Sequence, residues 1–246
     1  MEHFLDTQET IPPGYGFEHF GLEHFIWLGA FAVLLAMNCV AYRRLDSRGR
    51  EKWRKTVALL IVADEVFKFI CLFIGGTFLP KYLPFHLCSI NIVLVAIHAW
   101  KPSKLLDNFL YLACLPGAVM AMLFCTWAML PAANFMYWHS FTIHILLVMY
   151  PLVQMVAGDI RPDVRQFPKS LLLLCGMAVP VWIFNILFDT NFMFLAYAEP
   201  GTPLVWFEEH WGNHLLGFPV LVPAVLLVMA IPARILEKRR MKTETI

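Results

Sequence analysis

The sequence predicts an all-α polytopic membrane bundle of about seven transmembrane helices, with the N-terminus outside and the C-terminus in the cytoplasm. Three observations carry this. Apolar residues make up 59% of the 246-residue chain and charged residues only 15%, against roughly 45–50% and 25% in soluble domains. Apolar runs of about 20 residues, enough to cross a ~30 Å hydrocarbon core, recur along the chain. All but two of the 19 lysines and arginines fall between alternate runs, as they do in cytoplasmic loops. The same composition excludes disordered, collagen-like and small disulfide-scaffold proteins.

Taken in order, residues 1–23 carry no Lys or Arg and no continuous apolar core, so no cleavable signal peptide is expected there. Their aromatics and the Glu18-His19 and Glu23-His24 pairs read as an external, interfacial lead-in. A single transmembrane domain follows from 24 to 235, with spans at 24–42, 56–80, 83–100, 105–130, 134–157, 168–188 and 213–235. The third is the shortest and starts at Pro84, and the sixth is interrupted by Pro180. Both are candidates for half-buried or kinked helices, because proline removes a backbone hydrogen bond. The basic residues sit at 43–55, at Lys101 and Lys104, at Arg161, Arg165 and Lys169, and in the tail at 236–246, preceded by Arg234. Alternate sides then require an odd number of spans, as seven is. With nothing folded left over to present these charges, no nucleic-acid partner is expected.

The six cysteines have no CxxC and no regular spacing, so zinc-ribbon and thioredoxin-like readings fail. Five read as small buried apolar residues. Cys88 differs, because it sits in Leu83-Pro84-Phe85-His86-Leu87-Cys88-Ser89 near the outer end of a span.

Ionisable residues inside spans are costly and raise a functional question by default. Asp64, Glu65 and Lys68 share the second span, where the lysine reaches either carboxylate at i,i+4 or i,i+3. This cluster is either a neutralised packing element or a proton or ion path. On the third span Cys88, Asn91, Val95 and His98 form one helical stripe, and on the fifth Tyr137, Ser140 and His144 form another. His139 points about 140° away from His144. From the outer edge Cys88 lies ~8 Å deep and His144 ~15 Å deep, so the two fit one cavity if their helices are neighbours. Asn191 follows the sixth span on the same side. A cysteine, a histidine and an asparagine at compatible depths suit a nucleophile, a base and a polar orienting group.

Three segments carry a resemblance. Leu83-Pro84-Phe85-His86-Leu87-Cys88 resembles the Leu-Pro-x-His-Leu-Cys signature of the YwaF-like bacterial integral membrane proteins, related to eukaryotic transmembrane protein 164, a phospholipid-remodelling acyltransferase. Phe141-Thr142-Ile143-His144 with downstream Arg161-Pro162 resembles its Phe-Leu-Ser-His segment and Arg-Pro. Thr190-Asn191-Phe192-Met193-Phe194-Leu195 resembles its Thr-Asn-Tyr-Met-Phe-Leu. The likeness runs from about residue 20 to 235. It implies a bacterial inner-membrane protein in which Cys88 is the catalytic cysteine and His144 its partner, acting on phospholipid or lysophospholipid without a cofactor. The chain departs from the pattern at Ile143, at Glu199-Pro200 and at 208–214, where the family has Ser, Lys-Pro and Trp-Pro-Trp.

In the acyltransferase reading His144 deprotonates Cys88, the thiolate takes an acyl group from a lipid, and Asn191 or His86 steadies the oxyanion. His86, Asn91, Ser140 and Tyr137 complete a polar cavity. The alternative is a non-enzymatic transporter or lipid-binding protein using the same cavity, with the Asp64–Glu65–Lys68 cluster carrying protons or ions. Zinc at His86, Cys88 and His144 is a third reading that lacks an identifiable fourth ligand, so no metal site is expected.

Overall fold

The computed structural model describes residues 2–200 and 202–244, and every regular element among them is helical. In chain order these are α1 (Leu22–Arg43), α2 (Ser47–Ile74), α3 (Leu87–Trp100), α4 (Lys104–Phe109), α5 (Leu115–Leu123), α6 (Phe135–Ala157), α7 (Phe167–Phe188), α8 (Pro203–Trp211) and α9 (Phe218–Glu244). Five stretches are long and apolar enough to cross a membrane: Leu22–Arg43, Lys104–Leu123, Phe135–Ala157, Val164–Phe188 and His214–Glu237. The expected spans at 56–80 and 83–100 fall short of that standard for different reasons. α2 has the length but carries Asp64, Glu65 and Lys68 in its apolar part. α3 is apolar but has 14 residues, only about 21 Å of helix.

Local chemistry moves several expected boundaries. α2 starts at Ser47, so most of the basic first loop is helix. Asp46 caps it by accepting from the Gly49 amide at 2.7 Å, which satisfies one of the free N–H groups of the first turn. The run at 105–130 ends as helix at Leu123, and α6 begins under Asn134, whose Oδ1 accepts from the Met136 and Tyr137 amides. Gly158, at φ 83, closes α6. Pro180 does not interrupt its helix: α7 is continuous from Phe167 to Phe188. The proline is exposed on the outer face, so its ring meets no neighbouring helix and only one hydrogen bond is lost.

Pro116 has a larger effect. It lacks an N–H and its ring would meet the carbonyl of Leu112, four residues back. The chain answers with a π-helical turn over Leu110–Cys114 that joins α4 to α5, a wider turn that clears the clash. Inside that turn, Tyr111 donates from its hydroxyl to the Met229 carbonyl of α9 at 2.5 Å.

α6 is the central post, packed by α1, α2, α3 and α5. Its apolar window is 61% buried, against 6% in α1 and in the last span and 11% in α7, so those three helices form the outer wall. Between helices in lipid the hydrophobic effect contributes little, so packing and interhelical hydrogen bonds hold the bundle.

Residues 2–21 fold back onto one end of this bundle rather than lying apart from it. Phe4, Leu5, Ile11 and Phe17 pack against Phe135, Tyr137 and Phe141. Asn134 Nδ2 donates to the carbonyls of His3 and Asp6, each at 2.8 Å. Gly16, at φ +102, lets the Phe17 amide reach the Ala128 carbonyl at 2.8 Å, where a Cβ would strike that same backbone. At the other terminus the basic tail continues α9 as far as Glu244, while its side chains from Lys238 onward, and residues 245 and 246, lie outside the described residues.

Candidate functional site

Cys88 sits in the first turn of α3, partly buried against the main core cluster. α3 packs on α6, which carries His144, so the two helices are neighbours. The His144 ring stacks on Trp127, with centroids 5.1 Å apart and planes 9° from parallel. Its Nδ1 lies 2.6 Å from the Ser140 carbonyl. A carbonyl oxygen only accepts, so Nδ1 carries the proton and Nε2 is left with the lone pair. That is the tautomer a general base needs. No hydrogen bond joins Cys88 to His144 among the described residues.

A cysteine and a histidine do meet elsewhere. Cys125 Sγ lies 3.6 Å from His24 Nε2, yet that ring nitrogen also lies 2.7 Å from the Met122 carbonyl and is therefore its donor. Nδ1 of His24 accepts from the Phe20 amide, so no lone pair is left to take a thiol proton. This second pair is a fastening between the start of α1 and the end of α5.

The other expected site residues divide. His86 caps the entrance to α3, and its ring packs edge-on against Phe192 at 5.1 Å. Nδ1 of His86 accepts from the Met193 amide at 3.4 Å. Asn91 lies one turn beyond Cys88, buried, with its Oδ1 unpartnered. Tyr137 turns its hydroxyl away to α1, where it accepts from Trp27 Nε1 at 2.6 Å and donates to Glu23 at 2.5 Å. Asn191 Oδ1 accepts from the amides of Ala196 and Tyr197, and Nδ2 donates to the Tyr197 carbonyl and Glu199. Both hydrogens of its amide are engaged, so Asn191 organises its own loop. His98 lies at the far end of α3, between Tyr150 and Asp107.

That loop is held under strain. Asp189, Met193 and Phe194 have φ of 49°, 57° and 57°, left-handed values that non-glycine residues adopt at a cost and that cluster at functional sites. Asn185, which the sequence reading missed, pins it: Nδ2 donates to the Phe192 carbonyl while Oδ1 accepts from Thr190 Oγ1 and the Phe192 amide, each at 2.9 Å. Asn185→Ala should therefore cost about 3 kcal/mol, since it orphans several buried groups. Faster protease cleavage confined to 189–199 is the expected readout, and unchanged cleavage would show that the loop holds itself.

On the α2 face of α6 the intramembrane charges find their partners. Lys68 Nζ bonds Glu65 Oε1 at 2.5 Å, and both are buried. His139, also missed, places Nδ1 3.0 Å from Asp64 Oδ2 and Nε2 3.6 Å from Glu65 Oε2. Neither contact is aligned as a hydrogen bond, so they act as charge contacts. Thr142 Oγ1 adds a neighbour at 3.2 Å from Asp64. The 140° offset from His144 is what aims His139 at α2. The signal was the carboxylate left over once Lys68 had chosen one partner. Among the described residues no three of His, Cys, Asp or Glu converge as metal ligands.

No curated protein and no solved structure matches the chain. Residues 19–230 match the TMEM164 family. With that match over most of its length, and with helices fit to cross a bilayer, the chain is an integral membrane protein and belongs to the TMEM164 family.

Proposed function

We propose that the chain is a seven-span lipid acyltransferase of the bacterial inner membrane, N-terminus outside, working through Cys88 and His144 in the outer half of the bilayer. The count of seven adds α2 and α3 to the five apolar stretches. α2 crosses with its charges paired internally, and α3 makes up its length with the chain at 80–86 that leads into it. The side assignment rests on the basic residues at 43–55, 101–104, 161–169 and the tail.

The observation that carries the chemistry is the hydrogen bond from His144 Nδ1 to Ser140, which leaves Nε2 ready to accept on a helix packed against that of Cys88. His144 takes the thiol proton, and the thiolate attacks an ester carbonyl of a phospholipid. The C–O bond breaks, and the lysolipid leaves with the proton from His144. An acceptor hydroxyl then gives its proton to His144 and displaces Cys88 from the thioester, which restores the thiol. With Asn191 engaged in its own loop, the oxyanion falls to groups near the α3 N-terminus, such as His86. The departures from the family pattern at 199–200 and 208–214 bear on which lipid is accepted.

The protein in nanodiscs, given phospholipid with one labelled acyl chain and an unlabelled lysophospholipid, should transfer the label. A hydroxylamine-labile acyl adduct should appear on the peptide bearing Cys88. An adduct on another cysteine alone, or transfer without any adduct, would overturn the assignment.

A second reading has its own observation. Buried Glu65, Lys68 and His139, with partly buried Asp64, link α2 to α6 through two carboxylates, one lysine and one titratable ring, which suits proton movement in a transporter. Chemistry at Cys88 requires its sulfur and transport does not, which separates the two.

A further inference from the structure

At the opposite end of the bundle, the start of α2, the end of α3, the start of α4 and the turn after α6 surround a hollow of about 370 Å³. It shares Arg54 and Asp159 as walls with a second hollow of about 330 Å³. Either is large enough for a small polar ligand. The charges around it are unequally matched. Asp159 is taken by the Tyr42 hydroxyl at 2.6 Å and by Arg50 Nη1 at 2.7 Å. Asp107 is taken by His98 Nε2 at 2.7 Å, whose ring is held on its other side by the Tyr150 hydroxyl at 2.8 Å. Both carboxylates are therefore engaged.

Of the cations, Arg50 is spent on Asp159 and Arg54 neighbours the Tyr42 hydroxyl. Arg54 forms no ion pair among the described residues, and its Nε is buried without a hydrogen-bond partner. Lys104, exposed on the rim, has no acidic partner among them either. Arg54 and Lys104 line the hollow without an acidic partner among the described residues, so an anion placed there would meet charge that no carboxylate has already neutralised. Ser103 caps α4 by accepting from the Leu106 amide at 3.3 Å, which leaves its own hydroxyl hydrogen to give. A planar guanidinium fork from α2, and a mobile ammonium and a hydroxyl from the start of α4, suit a tetrahedral oxyanion better than a flat carboxylate.

We propose that this hollow binds a phosphate group, monoester or diester, with Arg54 as the principal donor and Lys104 and Ser103 beside it. The site is independent of the chemistry at Cys88, which lies on α3 ten residues before His98 in the wall of the hollow, about 15 Å along the helix. Its failure would leave that reading untouched.

The test uses the full-length protein purified without phosphate. One arm titrates inorganic phosphate and glycerol 3-phosphate and follows thermal unfolding. The other reconstitutes the protein in phosphatidylcholine nanodiscs doped with phosphatidic acid and counts retained phosphatidic acid by native mass spectrometry. Arg54→Gln should weaken binding about tenfold or more in whichever arm supplies the ligand, and Lys104→Gln should weaken it less. Lys52→Gln, exposed and outside the hollow, should leave it unchanged. A response in the soluble arm identifies a free phosphate compound, and one confined to nanodiscs identifies a lipid headgroup. If Arg54→Gln fails to fold, the exposed Lys104→Gln carries the comparison. Lys104→Gln and Lys52→Gln behaving alike in both arms would overturn the proposal.

Discussion

Cys88→Ser is expected to fold, to bind lipid and to lose acyl transfer by about a thousandfold or more, equivalent to about 4 kcal/mol of barrier. Serine keeps the shape and a hydrogen-bonding atom, but a hydroxyl ionises far less readily than a thiol of pKa ~8.5. His144→Ala should lose as much, because the thiolate needs a base where hydrocarbon opposes its charge. The double variant should be no worse than either single one, since the pair acts as a unit. Cys125→Ser provides the contrast. Its histidine neighbour has no free lone pair, so transfer should persist even if stability falls. Label exchange between phospholipid and lysophospholipid measures all four proteins. Full turnover in Cys88→Ser would end the covalent mechanism and leave proton movement through the α2–α6 charges as the better reading.

Lys68→Met is expected to destabilise the protein by about 3–5 kcal/mol, the cost of leaving one partner of a buried ion pair without the other. Glu65 would keep only the loose contact with His139 at 3.6 Å. Adding Glu65→Gln should recover most of the loss, because the remaining amide and thioether carry no net charge into the bilayer. Unfolding in mild detergent, followed by helical signal against heat or added dodecyl sulfate, gives the comparison. A single variant as stable as the unmodified protein would show that the pair contributes nothing to the fold.

Hydropathy located most of the spans. The expected 24–42, 134–157 and 168–188 fall within two residues of α1, α6 and α7. The start of α2 escaped because its helix continues beyond the apolar run into the basic segment, where an aspartate cap rather than hydropathy sets the limit. Pairing along one helix was legible too: Lys68 and Glu65 sit three apart, and that spacing alone brings them together. Contacts between helices were not. His139 meets Asp64 and Asn185 grips Thr190 and Phe192 through helix rotation and loop strain, which periodicity does not encode. For Cys88 and His144 the sequence offered depths compatible with one cavity, and the structure adds the neighbouring helices and the ring tautomer.

The π-helical turn at Leu110–Cys114 has an effect on phase. One extra residue in a turn rotates everything after it by about 100° relative to an unbroken α-helix. The single rod from Lys104 to Leu123 thus presents two unaligned faces. Before the turn it directs Asp107 to His98, beside the basic hollow. After it, Leu115 and Ala118 are turned into the core against which Cys88 packs. A regular helix of the same sequence would serve one of these ends and turn the other toward lipid. The wide turn makes this helix an adaptor between the two sides of the membrane, with Tyr111 bolting it to α9 at the point where the phase changes.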